Sequence, residues 1–177
     1  MLDLESNPSL RILFRIARRR VSVGFIVAAA AFAFARPSWQ SLSIGLPVAL
    51  IGEAIRVWAA GHLIKGKEVT TSGPYALVRH PLYAGSAVIG VGFVITAASA
   101  IVAVLVLGYL TIMIAVAIRL EEATLRAAFG ETYANYVAGK AELTVRRFSL
   151  QRVRENQEHQ ALLGIVASVV IFVLLAS

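Results

Sequence analysis

Arg79 and His80 stand immediately before a long uncharged run, and Arg119, Glu121 and Glu122 stand immediately after it. A guanidinium or an imidazole can meet a carboxylate or the edge of an aromatic ring, and carboxylates accept hydrogen bonds from ammonium groups and hydroxyls. Such a set suits a polar ligand with charges of both signs. Gly73-Pro74 is turn chemistry, and Pro81 can open a helix because its missing N–H would be unpaired there anyway. A cationic elbow therefore sits at the mouth of an apolar helix. That helix carries Tyr83, an aromatic face to match Tyr75 in the turn, and then the small residues Gly85, Ser86, Gly90 and Gly92. Small residues in such a helix let another backbone or a ligand come close.

The order of these groups, G-P-Y-x-x-x-R-H-P-x-Y-x-G over residues 73–85, Gly90-Val91-Gly92 and then Glu121-Glu122, resembles the isoprenylcysteine carboxyl methyltransferase and phospholipid methyltransferase superfamily of integral membrane enzymes. The likeness covers a core of roughly residues 68–145. It implies an S-adenosylmethionine site at Tyr75, Val78, Arg79, His80, Tyr83, Gly90, Gly92, Glu121 and Glu122. It also implies Arg119, in an R-x-E-E arrangement like that of carboxyl-methylating relatives, and Glu122 as the catalytic pair. The chain departs from the short members of the superfamily by continuing into a further apolar segment and by lacking a proline near Val145.

The elements that must position these residues follow from composition. With 58% hydrophobic and 15% charged residues, this is a membrane chain and not a soluble domain. Cysteine is absent and the three histidines are far apart in sequence, so neither disulfides nor a metal centre is expected. The net charge of +7 would suggest nucleic acid in a soluble protein; here the placement of the cations beside apolar segments explains it better, and no nucleic acid is expected.

A single membrane domain over residues 1–177 is expected, all-α, a polytopic bundle of five transmembrane helices plus an N-terminal interfacial amphipathic helix. Asn7-Pro8 reads as a cap followed by the first helical residue, and residues 7–20 alternate apolar and arginine positions at helical spacing. Spans are expected at 21–35, 42–60, 82–97, 99–118 and 161–176. The uncharged run 81–118 would reach about 57 Å as one helix, nearly twice the roughly 30 Å of hydrocarbon, so it must fold back. The least bulky, most polar point, Thr96 to Ser99, places a tight hairpin there and brings the two charged groups to the same membrane face. Within 42–60, Glu53 and Arg56 lie on one helical face; they either line a wet cavity or lock helices as a self-neutralising pair. His62 reads as an interfacial residue.

Basic residues crowd the N-terminal stretch, the loop after the second span and the stretch beyond Arg119, whereas Arg36 stands alone on the other side. That asymmetry places the N-terminus and both motif loops in the cytoplasm, the inner face if the membrane is a bacterial inner membrane. The resulting expectation is a methyltransferase using S-adenosylmethionine on a lipophilic acceptor among membrane lipids. Alternatives are a phospholipid or small-molecule N- or S-methyltransferase of the same superfamily, a sterol-reductase-like enzyme using NADPH, or a small proton-coupled transporter built on Glu53. Sterol reductases resemble the R-H-P-x-Y-x-G stretch but are much longer, and a transporter would not need the loop motifs.

Overall fold

The computed structural model describes residues 8–177, all of whose regular structure is helical: α1 (Pro8–Phe34), α2 (Trp39–His62), α3 (Pro81–Ala97), α4 (Ala100–Val137), α5 (Leu150–Glu155) and α6 (Glu158–Ala176). Three of these, α2, α4 and α6, are long and apolar enough to cross a membrane; α3 is apolar but shorter. The chain is a helical membrane bundle. Large apolar side chains such as Val104, Ile112, Leu163 and Leu174 face outward, where lipid would receive them.

The expected interfacial helix at 7–20 and span at 21–35 are not separate. Pro8–Phe34 is one rod of about 40 Å, tied to α4 at the arginine turn, where the Tyr109 hydroxyl donates to the Arg20 carbonyl at 2.8 Å. The cap expected at Asn7 lies outside the described residues. The rod ends before Arg36-Pro37, where the residue preceding a proline is driven out of the helical region, and the Arg36 N–H donates to the Ala97 carbonyl at 2.8 Å.

Ser38 and Ser41 cap α2 reciprocally, and the Ser41 hydroxyl also donates to the Thr96 carbonyl at 2.9 Å. Helix α2 then runs antiparallel along α3 with glycines facing glycines. A Cβ on Gly52 would lie 2.6 Å from the Ile89 nitrogen and 2.7 Å from the Gly85 oxygen, and one on Gly92 would lie 2.7 Å from the Gly45 oxygen and collide with the Ala49 nitrogen. Gly45, Gly52, Gly85 and Gly92 thus form a seam of direct backbone contact. The hairpin expected at Thr96 to Ser99 is present: Ala98 adopts a left-handed conformation (φ 48°) and Ser99 caps α4.

Helix α4 is apolar for about 30 Å, to Arg119, matching the hydrocarbon thickness, and then emerges as a charged extension broken at Gly130 (φ 44°). Beyond it the chain returns as a strap over the end of α2, whose last carbonyls have no helical partner. Arg152 Nε donates to the Gly61 carbonyl at 2.7 Å, Arg146 Nη1 to that of His62 at 3.1 Å, and Asn156 Nδ2 to those of Ala60 and Leu63 at 3.0 and 3.1 Å. The Phe148 ring occupies the space that a side chain on Gly61 would need. His62, at the end of α2, is consequently buried beneath Phe148 and the Gly73 turn. At the opposite end, Phe172 of α6 packs between Phe32 and Phe93, with ring centroids 5.3 and 5.8 Å away.

Gly52→Ala should lower the unfolding free energy by about 1–3 kcal/mol, as overpacking does, while Gly108→Ala, whose added Cβ meets nothing within 4 Å, should not lower it; thermal unfolding in micelles compares them. Single cysteines at Gln40 and Lys67, both exposed and at opposite ends of α2, should label from opposite sides of sealed vesicles, Lys67 from the cytoplasmic side. Labelling from one side would overturn the orientation.

Candidate active site

The loop from α2 to α3 is shaped by a 3₁₀ turn, Gly73–Ala76, whose first residue needs φ 58° and lies against the His62 ring. The turn buries Tyr75 and presents its carbonyl to the Tyr136 hydroxyl, which donates at 2.7 Å. Four residues on, His80 sits just outside α3 in a non-helical conformation with Pro81 as the first helical residue. The imidazole therefore projects from the helix mouth toward α4.

There it meets both glutamates. His80 Nε2 is 3.3 Å from Glu122 Oε1, and Nδ1 is 3.8 Å from Glu121 Oε2. Arg79 Nη1 stands 3.5 Å from the same Glu122 oxygen, and Arg126 Nη2 lies 3.5 Å from the other. The hairpin thus brings together the two charged groups that the uncharged run separates. Glu122 is surrounded by cations at the edge, whereas Glu121 lies on the α4 stripe of Met113, Val116, Ala117, Leu120 and Thr124 that walls a cavity of about 870 Å³. Tyr75, Arg79, His80 and Tyr83 line the same cavity, as do Tyr133 and the basic turn of α1.

Burial, and then the Glu121 charge, push the Tyr75 phenol above its ordinary value, so it is a neutral donor at physiological pH. The Tyr133 hydroxyl is buried without a hydrogen-bond partner. An orphaned buried hydroxyl costs about 1–3 kcal/mol and is the kind of group a polar ligand satisfies.

Other expected site residues lie elsewhere. Arg119 is exposed and does not line the cavity, because two residues along a helix turn it by about 200° from Glu121. Val78 is exposed outside the cavity. Gly92 belongs to the seam with α2. Gly90 lines a second, apolar cavity of about 450 Å³, where a Cβ would collide with Leu110. This deeper cavity lies one turn further into the bundle: Val21 gives way to Gly24 on α1, Tyr83 to Ser86 on α3 and Met113 to Leu110 on α4, and α6 adds the far wall.

Against the deeper cavity, which Arg56 and Ser86 line, sits a charge cluster only half legible beforehand. Arg56 Nε is 3.7 Å from Glu53, but its Nη2 donates to both oxygens of Glu158 at 2.9 and 2.8 Å, and its Nη1 donates to Ser86 Oγ at 2.5 Å. Glu53 and Glu158 are 5% and 6% exposed; the hydrogen-bonded pair is Arg56 with Glu158, which ties α2 to α6, while both Glu53 oxygens are buried without a hydrogen-bond partner. Glu158 was missed because an acid before an apolar segment is an ordinary helix start. Tyr83 lies within electrostatic reach of both Glu121 and Arg56, joining the cluster to the upper cavity.

A family model described as phospholipid methyltransferase matches residues 51–132, the stretch that holds the seam, the elbow and the glutamate pair. The cobalt-zinc-cadmium resistance protein CzcN of Cupriavidus metallidurans is 35% identical over 147 residues, which cover 78% of this chain and 66% of that protein, just under two thirds of its length. No solved structure matches. The match places residues 51–132, a little under half of the chain, in the superfamily of membrane methyltransferases. Among the described residues no group of three or more His, Asp or Glu is placed to hold a metal ion.

Arg56→Leu strands Glu158 as a buried charge and should destabilise the protein by about 3–5 kcal/mol, whereas the exposed Arg119→Leu should shift stability by no more than about 0.5 kcal/mol. Denaturant titration in mixed micelles measures both. Equal effects would show that the Arg56 cluster holds nothing together.

Proposed function

We propose that this protein transfers a methyl group from S-adenosylmethionine to a lipophilic acceptor, in the manner of the isoprenylcysteine carboxyl methyltransferases and phospholipid methyltransferases. The observation that carries the reading is His80 reaching both Glu121 and Glu122 beside one cavity, with an apolar cavity lined by the next turns of the same helices. Two volumes in the usual range for ligand sites, one with charged and phenolic side chains in its wall and one almost wholly apolar, suit a water-soluble donor and a lipid-soluble acceptor.

The residues fit the donor. Glu121 faces the cavity with an exposed carboxylate that can accept from an ammonium or ribose hydroxyls, and the bare Tyr133 hydroxyl and neutral Tyr75 can donate to a carboxylate or an adenine edge. The bound donor would supply an electrophilic methyl on a sulfonium. Glu122, gripped by Arg79, His80 and Arg126, acts as a positioning residue that holds the elbow against α4. His80 is the group best placed to take a proton from an amine or thiol acceptor; a carboxylate acceptor, already ionised, needs none. The apolar walls exclude water and let orientation carry the rate.

Calorimetry on purified protein should show binding of S-adenosylmethionine and none of reduced nicotinamide. Glu121→Ala should weaken it by about 1–3 kcal/mol, the range for a lost charge-assisted hydrogen bond, and Arg119→Ala should not weaken it. Binding of the nicotinamide alone would replace this reading with a reductase.

A further inference from the structure

Helix α6 is held to the bundle by little that lipid could not replace. Its buried residues are Glu158, Ile165 and Phe172, spaced two helical turns apart. Between them Ala161, Gly164 and Ser168 face the deeper cavity, and a Cβ on Gly164 would meet nothing within 4 Å. Ile165 and Phe172 make apolar contacts, which lipid chains can take over at small cost. The bond from Arg56 to Glu158 is different in kind, because hydrocarbon offers neither partner a substitute.

That bond has a rival within reach. Both oxygens of Glu53 and the Nε of Arg56 are buried without a hydrogen-bond partner among the described residues. Glu53 Oε2 and Arg56 Nε stand 3.7 Å apart across one turn of α2. A guanidinium carries its N–H donors in a fixed fork, so a small rotation of the side chain closes that gap. Two buried carboxylates thus compete for one cation, and the one on α6 is served while the one on α2 is bare.

The join between α5 and α6 is built to turn. Helix α5 is fixed, since Arg152 and Asn156 hold the last carbonyls of α2. Next comes Gln157, in a left-handed conformation (φ 60°) and without a side-chain capping bond. A residue with a Cβ is kept in that conformation only by its surroundings, and a single position of this kind can absorb the change of angle in a hinged element.

We propose that Arg56 is an exchange latch and α6 a hinged wall. While the guanidinium holds Glu158, α6 closes one side of the deeper cavity. When it turns to Glu53 on its own helix, α6 swings about Gln157 and opens that cavity to the bilayer, for an apolar molecule already dissolved there. Glu158 begins its helix beside the hinge, so on release its carboxylate can turn toward the aqueous end.

The chain has no cysteine, so labels can be placed at chosen positions. Spin labels on cysteines at Gln40 and Leu174, both exposed, report how far the end of α6 stands from the start of α2. In Glu158→Gln the distance should lengthen, since a swing of about 15° carries the end of a 19-residue helix about 7 Å. In Glu53→Gln, where the rival charge is gone, only the shorter distance should remain. A cysteine at Ser168, in the cavity wall, should react with N-ethylmaleimide about tenfold faster in Glu158→Gln than in the unchanged protein, and more slowly in Glu53→Gln. One at the exposed Leu163 should react equally in all three. Identical distances and rates in all three proteins, or an opening in Glu53→Gln, overturn the proposal. So does a Glu158→Gln protein that fails to fold, because Glu53 then cannot take over the guanidinium. All measurements are made without cofactor, so the latch and the methyl-transfer reading stand or fall separately.

Discussion

Inside a bilayer nothing is gained by pressing one apolar helix against another, since lipid tails are as apolar as leucine, and helices come close only where side chains are out of the way. The seam of Gly45, Gly52, Gly85 and Gly92 is such a place, and it sets the position of the groups that carry chemistry. With α2 and α3 in backbone contact, Arg56 lies along Gly85, its Cγ 2.6 Å from where a Cβ would be, and its guanidinium reaches Ser86 one residue on. Six residues earlier, at the mouth of the same helix, stands His80. The depth of the charge cluster and the height of the imidazole are therefore fixed by one interface.

The rest of the chain closes round that pair by satisfying polar groups that lipid cannot. The carbonyls at the end of α2 are taken by Arg146, Arg152 and Asn156, and Thr71 and Thr144 share a hydroxyl contact at 2.8 Å that holds the strap to the loop. Glu158, at the start of α6, answers Arg56, so the last helix is latched at its head by charge and at its tail by the Phe172 contacts. Cutting either latch exposes a buried charge or an apolar gap. This explains why a helix beyond the family-matched residues is part of the bundle: it walls the deeper cavity.

Two solubilities meet in the stacked cavities. The upper one is bounded by charged and phenolic side chains at the end where α4 leaves the apolar zone, so a polar ligand there keeps hydrogen-bonding partners instead of facing hydrocarbon. The lower one offers small and apolar side chains, with Arg56 and Ser86 in its wall.

Local chemistry and length settled much of this from the residues alone. The uncharged run before Arg119 was too long for one crossing and had one small polar point, so the hairpin and the meeting of His80 with Glu121 and Glu122 followed from bilayer thickness. The continuity of α1 did not: arginines at an interface and arginines in a rod have the same spacing, and only packing against Tyr109 of α4 shows which. The glycines were legible as sites of close approach but not as to what approaches. Gly92 meets the backbone of α2 and Gly90 meets Leu110, because helix rotation is set by the neighbouring helix and not by the residue. Arg119 and Glu121, two positions apart in one helix, lie on opposite faces by helix geometry alone, and only the neighbouring helices decide which of them meets the cavity. The pairing of Arg56 with Glu158, about a hundred residues away, was the least accessible, since a charge in an apolar segment announces that it needs a partner and only the fold supplies which one.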